Sequence, residues 1–155
     1  MSCLFCEILA SRIPATFVYR DAQVAAFMDI QPVNAGHVLI VPVSHAQGLQ
    51  DLAPTDGAAL FLVAQRIAGA LKTSGVRCEG VNLYLANGEA AGQEVNHVHL
   101  HVFPRFSGDG FGLKFPAGYS QKPSRTALEL AAEGIRDALN QLPNQSSQPI
   151  PRKDG

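Results

Sequence analysis

No stretch of the 155-residue chain approaches the roughly 20 consecutive apolar residues that a membrane-spanning helix needs. The opening Met1-Ser2-Cys3-Leu4-Phe5-Cys6-Glu7 lacks a charged start followed by a long apolar run, so no signal peptide is expected. Cysteine is scarce and odd in number, three in all, with Cys78 far from the Cys3/Cys6 pair. That argues against a secreted disulfide framework, and a reducing cytoplasm is the expected compartment. An excess of one charge is missing too: 12 basic against 13 acidic side chains leave a formal net charge of −1, with no basic run. A long nucleic-acid footprint is therefore not expected. A single nucleotide is not excluded, because backbone N–H groups and one or two side chains can meet its few charges. There is no internal repeat.

What the chain does have is apolar content, 46% by residue, enough for one compact core. A single domain over 1–142 is expected, followed from Pro143 by a polar, proline-bearing tail, 143–155, expected to be disordered. Strand signals run over Phe17–Arg20, then Gln23–Asp29, then the apolar His37–Pro42, whose middle suits a central strand. Pro54 near a helix start precedes Leu60, Val63, Ala64, Ile67 and Leu71 at helical spacing, with Gly75 as a stop. Gly80–Leu85 alternates as a strand, and a small-residue loop, Asn87–Gly92, leads to a fifth. Ser107–Pro123 has no period and reads as loop, after which Ser124 is placed to cap a last helix carrying Leu128, Ala132, Ile135 and Leu139. Strands then helix, strands then helix: the expectation is α+β, an antiparallel sheet of about five strands with helices packed on one side.

The chemistry concentrates in that fifth strand. Side chains alternate faces in a strand, so His97, His99 and His101 share one face while Val98, Leu100 and Val102 share the other. The valines and leucine must be core. Three of the chain's five histidines at alternating positions are not explained by ordinary half-exposed strand residues. An imidazole row can bind metal, shuttle protons or attack phosphorus as a neutral nucleophile beside a proton donor. Gly88 and Gly92 in the preceding loop allow close backbone approach to phosphate oxygens, which favours the last of these. A second constellation, Cys3-x-x-Cys6, has the spacing of two thiolates on a tetrahedral zinc, but stands equally for a redox pair or simple packing.

The stretch Ala91-Gly92-Gln93-Glu94-Val95-Asn96-His97-Val98-His99-Leu100-His101-Val102-Phe103-Pro104-Arg105 resembles the signature of the histidine-triad (HIT) family. Phe27-Met28-Asp29-Ile30-Gln31-Pro32 and Gly36-His37-Val38-Leu39-Ile40-Val41-Pro42 are similar to other blocks of that family, so the resemblance runs from about Cys3 to Arg105. It implies a HIT-like sheet, closest to the HINT-like bacterial branch with an N-terminal CxxC. It implies further that His99 is the nucleophile on the α-phosphorus, forming a nucleotidyl-histidine that water hydrolyses. His101 would contact phosphate and help protonate the leaving group, and His37 would belong to the hydrogen-bonded chain that orients the site. Asp29 would receive the ribose hydroxyls, Phe27 and Ile30 the base, and Asn87, Gly92 and Gln93 the phosphate.

The same resemblance implies a structural zinc on Cys3, Cys6, His45 and His97, a symmetric homodimer, and purine nucleoside phosphoramidates as substrates. Dinucleoside polyphosphate hydrolysis and a non-catalytic nucleotide-binding scaffold are the alternatives. Two positions depart from the family pattern: Asn96, where an aromatic residue or lysine is common, and Glu94, where several members carry a hydroxyl. A carboxylate would repel phosphate, so Glu94 is expected to point away.

Overall fold

The computed structural model describes residues 3–143, so all but the first residue of the expected tail lies outside the described residues. The chain divides into two compact units, one through Phe111 and one from Gly112. In the first unit the elements are helix α1 (Leu4–Leu9), strands β1 (Phe17–Arg20), β2 (Val24–Met28) and β3 (Val38–Pro42), helix α2 (Pro54–Leu71), and strands β4 (Gly80–Tyr84) and β5 (Leu100–Arg105). The second holds helix α3 (Arg125–Gln141). Among the described residues no helix is long and apolar enough to cross a membrane.

The five strands form one sheet in the order β1-β2-β3-β5-β4, with every neighbouring pair antiparallel. The β1–β2 turn is held by Asp21, whose Oδ1 accepts the N–H groups of Gln23 and Val24 at 2.8 Å each. β3 is central and buried along its whole length, as its unbroken apolar run requires. β2 and β3 pair in register from Val24↔Pro42 to Met28↔Val38, which puts Val24, Ala26, Val38 and Ile40 on one face. Val98, Leu100 and Val102 join them, and α2 covers this face with Leu60, Val63, Ala64 and Leu71. Proline at its first turn and the left-handed Gly75 (φ +88°) just beyond bound α2 as its sequence signals imply.

The helices do not all lie on one side. α1, which carries no periodic signal and spans six residues, covers the opposite face: Phe5, Ile8 and Leu9 pack on Ala25, Phe27, Leu39 and Val41. That face is only partly apolar because histidines interrupt it, so a single turn and a half of helix suffices to close it. Burying Phe5, 4% exposed, is worth about 2–3 kcal/mol and ties the N-terminal segment to the sheet.

β5 begins at Leu100, later than the expected start at the histidines. The reason is local. Pro42 offers a carbonyl where the ladder would continue, and the imidazole Nε2–H of His97 takes it at 2.9 Å in place of a backbone N–H. Val98 N–H then bonds to Ala46 O, and the alternation of faces survives without a formal strand. α3 is capped by Ser124, whose hydroxyl accepts Ala127 N–H at 3.1 Å.

Candidate active site and metal centre

His97, His99 and His101 lie on the α1 side of the sheet, away from α2. Leu39 pairs with His101 across β3 and β5, fixing that face. The row is tighter than the strand repeat implies: the His99 and His101 ring centroids are 4.9 Å apart. Phe5 meets both His97 and His99 edge-on, at 5.8 and 5.3 Å, so α1 shields the two rings from water.

Hydrogen bonds set which nitrogen of each imidazole carries the proton: Nε2 in His97 and His101, Nδ1 in His99. His99 Nδ1 lies 2.7 Å from the carbonyl of His97. A carbonyl only accepts, so Nδ1 carries the proton and Nε2 of the neutral ring keeps its lone pair. His37 Nδ1 accepts Val33 N–H at 3.1 Å, which leaves the proton of neutral His37 on Nε2. That N–H faces His101 Nδ1 at 2.9 Å, and the proton of neutral His101 is consequently on its own Nε2. The chain of bonds thus produces one ring with a free lone pair beside another with a free donor.

The charge states agree. Burial pushes His101 down to about 4, with His99 and His37 adding to the effect and Asp29 opposing it. Burial also lowers His37, against the pull of Asp29. Asp29 Oδ2 lies 3.5 Å from His37 Nε2 and 3.9 Å from His101 Nδ1, while Oδ1 accepts Gln31 N–H at 2.8 Å.

Cys3, Cys6, His45 and His97 converge at the other end of the row. A zinc with bonds of about 2.3 Å to sulfur and about 2.05 Å to nitrogen has tetrahedral edges of about 3.6 Å (S–N) and about 3.3 Å (N–N). The Nδ1 atoms of His45 and His97 are 3.3 Å apart. Cys3 Sγ is 3.4 Å from His97 Nδ1, and Cys6 Sγ is 3.4 and 3.6 Å from His45 and His97 Nδ1. The donor set and its spacing fit a closed zinc site, and the Nε2–H of His97 on Pro42 O is the outer bond that orients such a ligand. Burial raises Cys6, and Cys3 beside it adds to the rise, so thiolates here need a cation to balance them. Asp29, His37 and His101 also cluster, but their 2.9 Å N···N separation is that of a hydrogen bond rather than of two ligands on one metal.

The remaining candidates are distributed unevenly. Phe27 is 2% exposed, wedged between Phe5 and Phe17 with centroids at 5.5 and 5.7 Å, whereas Ile30 is 95% exposed. Gly88 (φ +91°) and Gly92 (φ +89°) flank a single 3-10 turn, Glu89–Ala91, in backbone conformations only glycine adopts without strain. Gln93 is buried and spends its amide on backbone groups: Oε1 accepts Gly88 N–H at 2.7 Å, and Nε2 donates to Gln47 O and Val95 O at 2.7 and 3.0 Å. Asn87 Oδ1 accepts Leu49 N–H at 2.8 Å. Glu94 is exposed. The groups that sequence reasoning missed are backbone ones, Val33 N–H and the carbonyls of His97 and Pro42, for which residue identity carries no signal.

Known proteins share this fold. A Streptococcus mutans protein of known crystal structure aligns with a TM-score of 0.81 at 38% identity, over 89% of this chain and 85% of that one. A zinc-bound histidine triad family protein from Mycobacterium smegmatis aligns with a TM-score of 0.69 at 36% identity, over 89% of this chain and 98% of that one. An adenosine 5'-monophosphoramidase of Schizosaccharomyces pombe is 32% identical over 118 residues, 76% of this chain and 85% of its own length. Residues 10–108, which hold every histidine, match the family model of the HIT domain, and the chain belongs to the HIT family.

Proposed function

We propose that this protein is a nucleotide hydrolase that cleaves purine nucleoside phosphoramidates at the α-phosphorus, with His99 as nucleophile. The observation that carries the reading is a pair of hydrogen bonds that imply opposite tautomers in two adjacent rings: His99 with Nδ1 tied to His97 O, and His101 with Nδ1 occupied by His37. The lone pair of His99 Nε2 forms the new P–N bond as the bond from phosphorus to the leaving amine breaks. The amine departs with the proton from His101 Nε2 as one from water restores the ring, so His101 ends the step neutral and the nucleotidylated His99 ring carries the positive charge. Water then attacks phosphorus, the P–Nε2 pair returns to His99, and the proton released by water passes by way of His101 to solvent. Asp29 receives the ribose hydroxyls and the Gly88–Gly92 turn offers backbone N–H groups to phosphate.

The amidase activity of the Schizosaccharomyces pombe relative supports phosphoramidate over dinucleoside polyphosphate as substrate. Measuring turnover of adenosine 5'-phosphoramidate beside a diadenosine polyphosphate tests this. Preference for the polyphosphate by tenfold or more in kcat/KM would overturn the substrate assignment, and nucleotide binding without turnover of either would favour a scaffold.

Zinc on Cys3, Cys6, His45 and His97, when bound, supplies cross-linking rather than chemistry, because four protein ligands close its coordination. The reading extends to a cytoplasmic homodimer. β4 is an edge strand exposing Leu83 and Tyr84, and α2 exposes Phe61 and Leu62, surfaces that a second copy would cover.

A further inference from the structure

The proton arrangement of His37 and His101 begins at a backbone N–H, that of Val33, and something must hold it in place. The segment from Asp29 to His37 closes on itself through Asp29 N–H to His37 O at 3.0 Å and His37 N–H to Asn34 O at 3.1 Å. Asn34 also reaches out of the segment: its Nδ2 donates to Pro104 O and to Asp109 Oδ2, both at 2.9 Å. The Asp109 side chain is 3% exposed and accepts from Arg105 Nε and Nη2, from Phe106 N–H and from Phe111 N–H as well as from Asn34. It lies one residue beyond the part of the chain that matches the family model.

We propose that Asp109, acting through Asn34, is a positioning residue that sets the tautomer of His37 and so decides which nitrogen of His101 donates. This rests on the role proposed for His101. The logic is one of donors and acceptors. The Arg105 guanidinium, with smaller contributions from Phe111, Asn34 and Phe106, holds the Asp109 carboxyl far below the usual carboxylate range, so it is an acceptor only. Pro104 O is an acceptor too. Between two acceptors Asn34 must present its amino group and use both of its N–H bonds, which fixes the amide in one of its two orientations. With Asn34 pinned at both acceptors, the neighbouring Val33 N–H stays aimed at His37 Nδ1. If that N–H drifts, His37 is free to move its proton to Nδ1 and accept at Nε2. His101 must then donate from Nδ1, and its Nε2 no longer carries the proton the leaving group needs. Arg105 completes the brace by bonding Asn82 Oδ1 and Phe111 O, which anchors Asp109 to β4 and β5.

Asn34→Ala and Asp109→Asn test this in the full chain, with Arg77→Ala as a control. Arg77 lies over the Phe106 ring at 4.1 Å and supports the same loop without touching Asn34 or Asp109. The first readout needs no substrate: long-range 1H–15N spectra at neutral pH assign the protonated nitrogen of His37 and His101. Both are expected protonated at Nε2 in the parent and in the control, with the second tautomer populated in Asn34→Ala and Asp109→Asn. The second readout is the split of steady-state constants on adenosine 5'-phosphoramidate, where kcat is expected to fall on the order of tenfold with KM within about twofold.

Unaltered tautomers in a folded Asn34→Ala would overturn the proposal, as would a loss confined to KM or to thermal stability. Should Asp109→Asn fail to fold, Asn34→Ala decides alone, since it removes only two hydrogen bonds from a neutral amide. Failure of the parent to hydrolyse the phosphoramidate would refute the substrate assignment and leave the tautomer result to stand by itself.

Discussion

The carbonyl of His97 accepts the Nδ1–H of His99 at 2.7 Å, so the residue whose ring faces Cys3, Cys6 and His45 also sets the proton on the ring that is free to attack. The proposed metal ligand and the proposed nucleophile are thus joined through one carbonyl. The five imidazoles divide by the partners of their nitrogens: His45 and His97 face the cysteine pair, His37 and His101 bond each other, and His99 Nδ1 bonds a carbonyl.

Metal removal is expected to be felt first as stability. The protein should carry one zinc per chain, and chelation should lower Tm by several degrees or more, with zinc restoring it. Metal analysis and calorimetry check this. A chain that holds no zinc, or whose Tm is indifferent to chelator, would remove the cross-linking role.

His99→Ala should lower kcat on the phosphoramidate by at least about 10³-fold while leaving nucleotide affinity within a few-fold, because attack and binding use different atoms. His101→Ala should cost less, on the order of 10²-fold, the share of a positioned proton donor. Rapid-quench kinetics with calorimetric nucleotide titrations separate the two effects.

Acid should unsettle the relay late. His101 at about 4, and His37 lowered with it, both stay neutral in the folded protein where free histidine takes a proton near 6.5. Between these values the unfolded chain binds more protons than the native one, so stability rises with pH across that window. The contribution is complete above about 6.5 and is lost as pH falls toward about 4. Tm against pH should show this slope, and His101→Asn should flatten it.

Gln93→Ala should destabilise the protein by about 1–2 kcal/mol, since Gly88 N–H, Gln47 O and Val95 O lose their hydrogen-bond partner together. It should also raise KM more than it lowers kcat, because the loop it braces is the one assigned to phosphate. Denaturant titration and steady-state kinetics read the two effects.

The fold was legible where one periodicity dominated. The β3 run, the α2 stripe and the Ser124 cap read directly from the sequence, and so did the alternation that sets three imidazoles against Val98, Leu100 and Val102. α1 was not legible: at six residues, with Cys3 at its N-cap making no side-chain cap, it has neither the length nor the signal of a helix, and only its CxxC spacing stood out. The late start of β5 was hidden for a different reason, that a side chain, His97, does the work of a ladder N–H. Within the site, the identities of His37, His99 and His101 were accessible, but their proton positions depend on backbone groups that every residue has. Gln93 illustrates the same limit, a polar loop residue whose amide turns inward to hold its own loop.

The most direct measurement of the central claim is intact-mass and peptide analysis of the protein quenched in alkali during turnover of adenosine 5'-phosphoramidate. The account predicts one adenylyl group on the imidazole of His99 in the parent protein, absent from His99→Ala. Adenylylation at another residue, or undiminished turnover by His99→Ala, would contradict it.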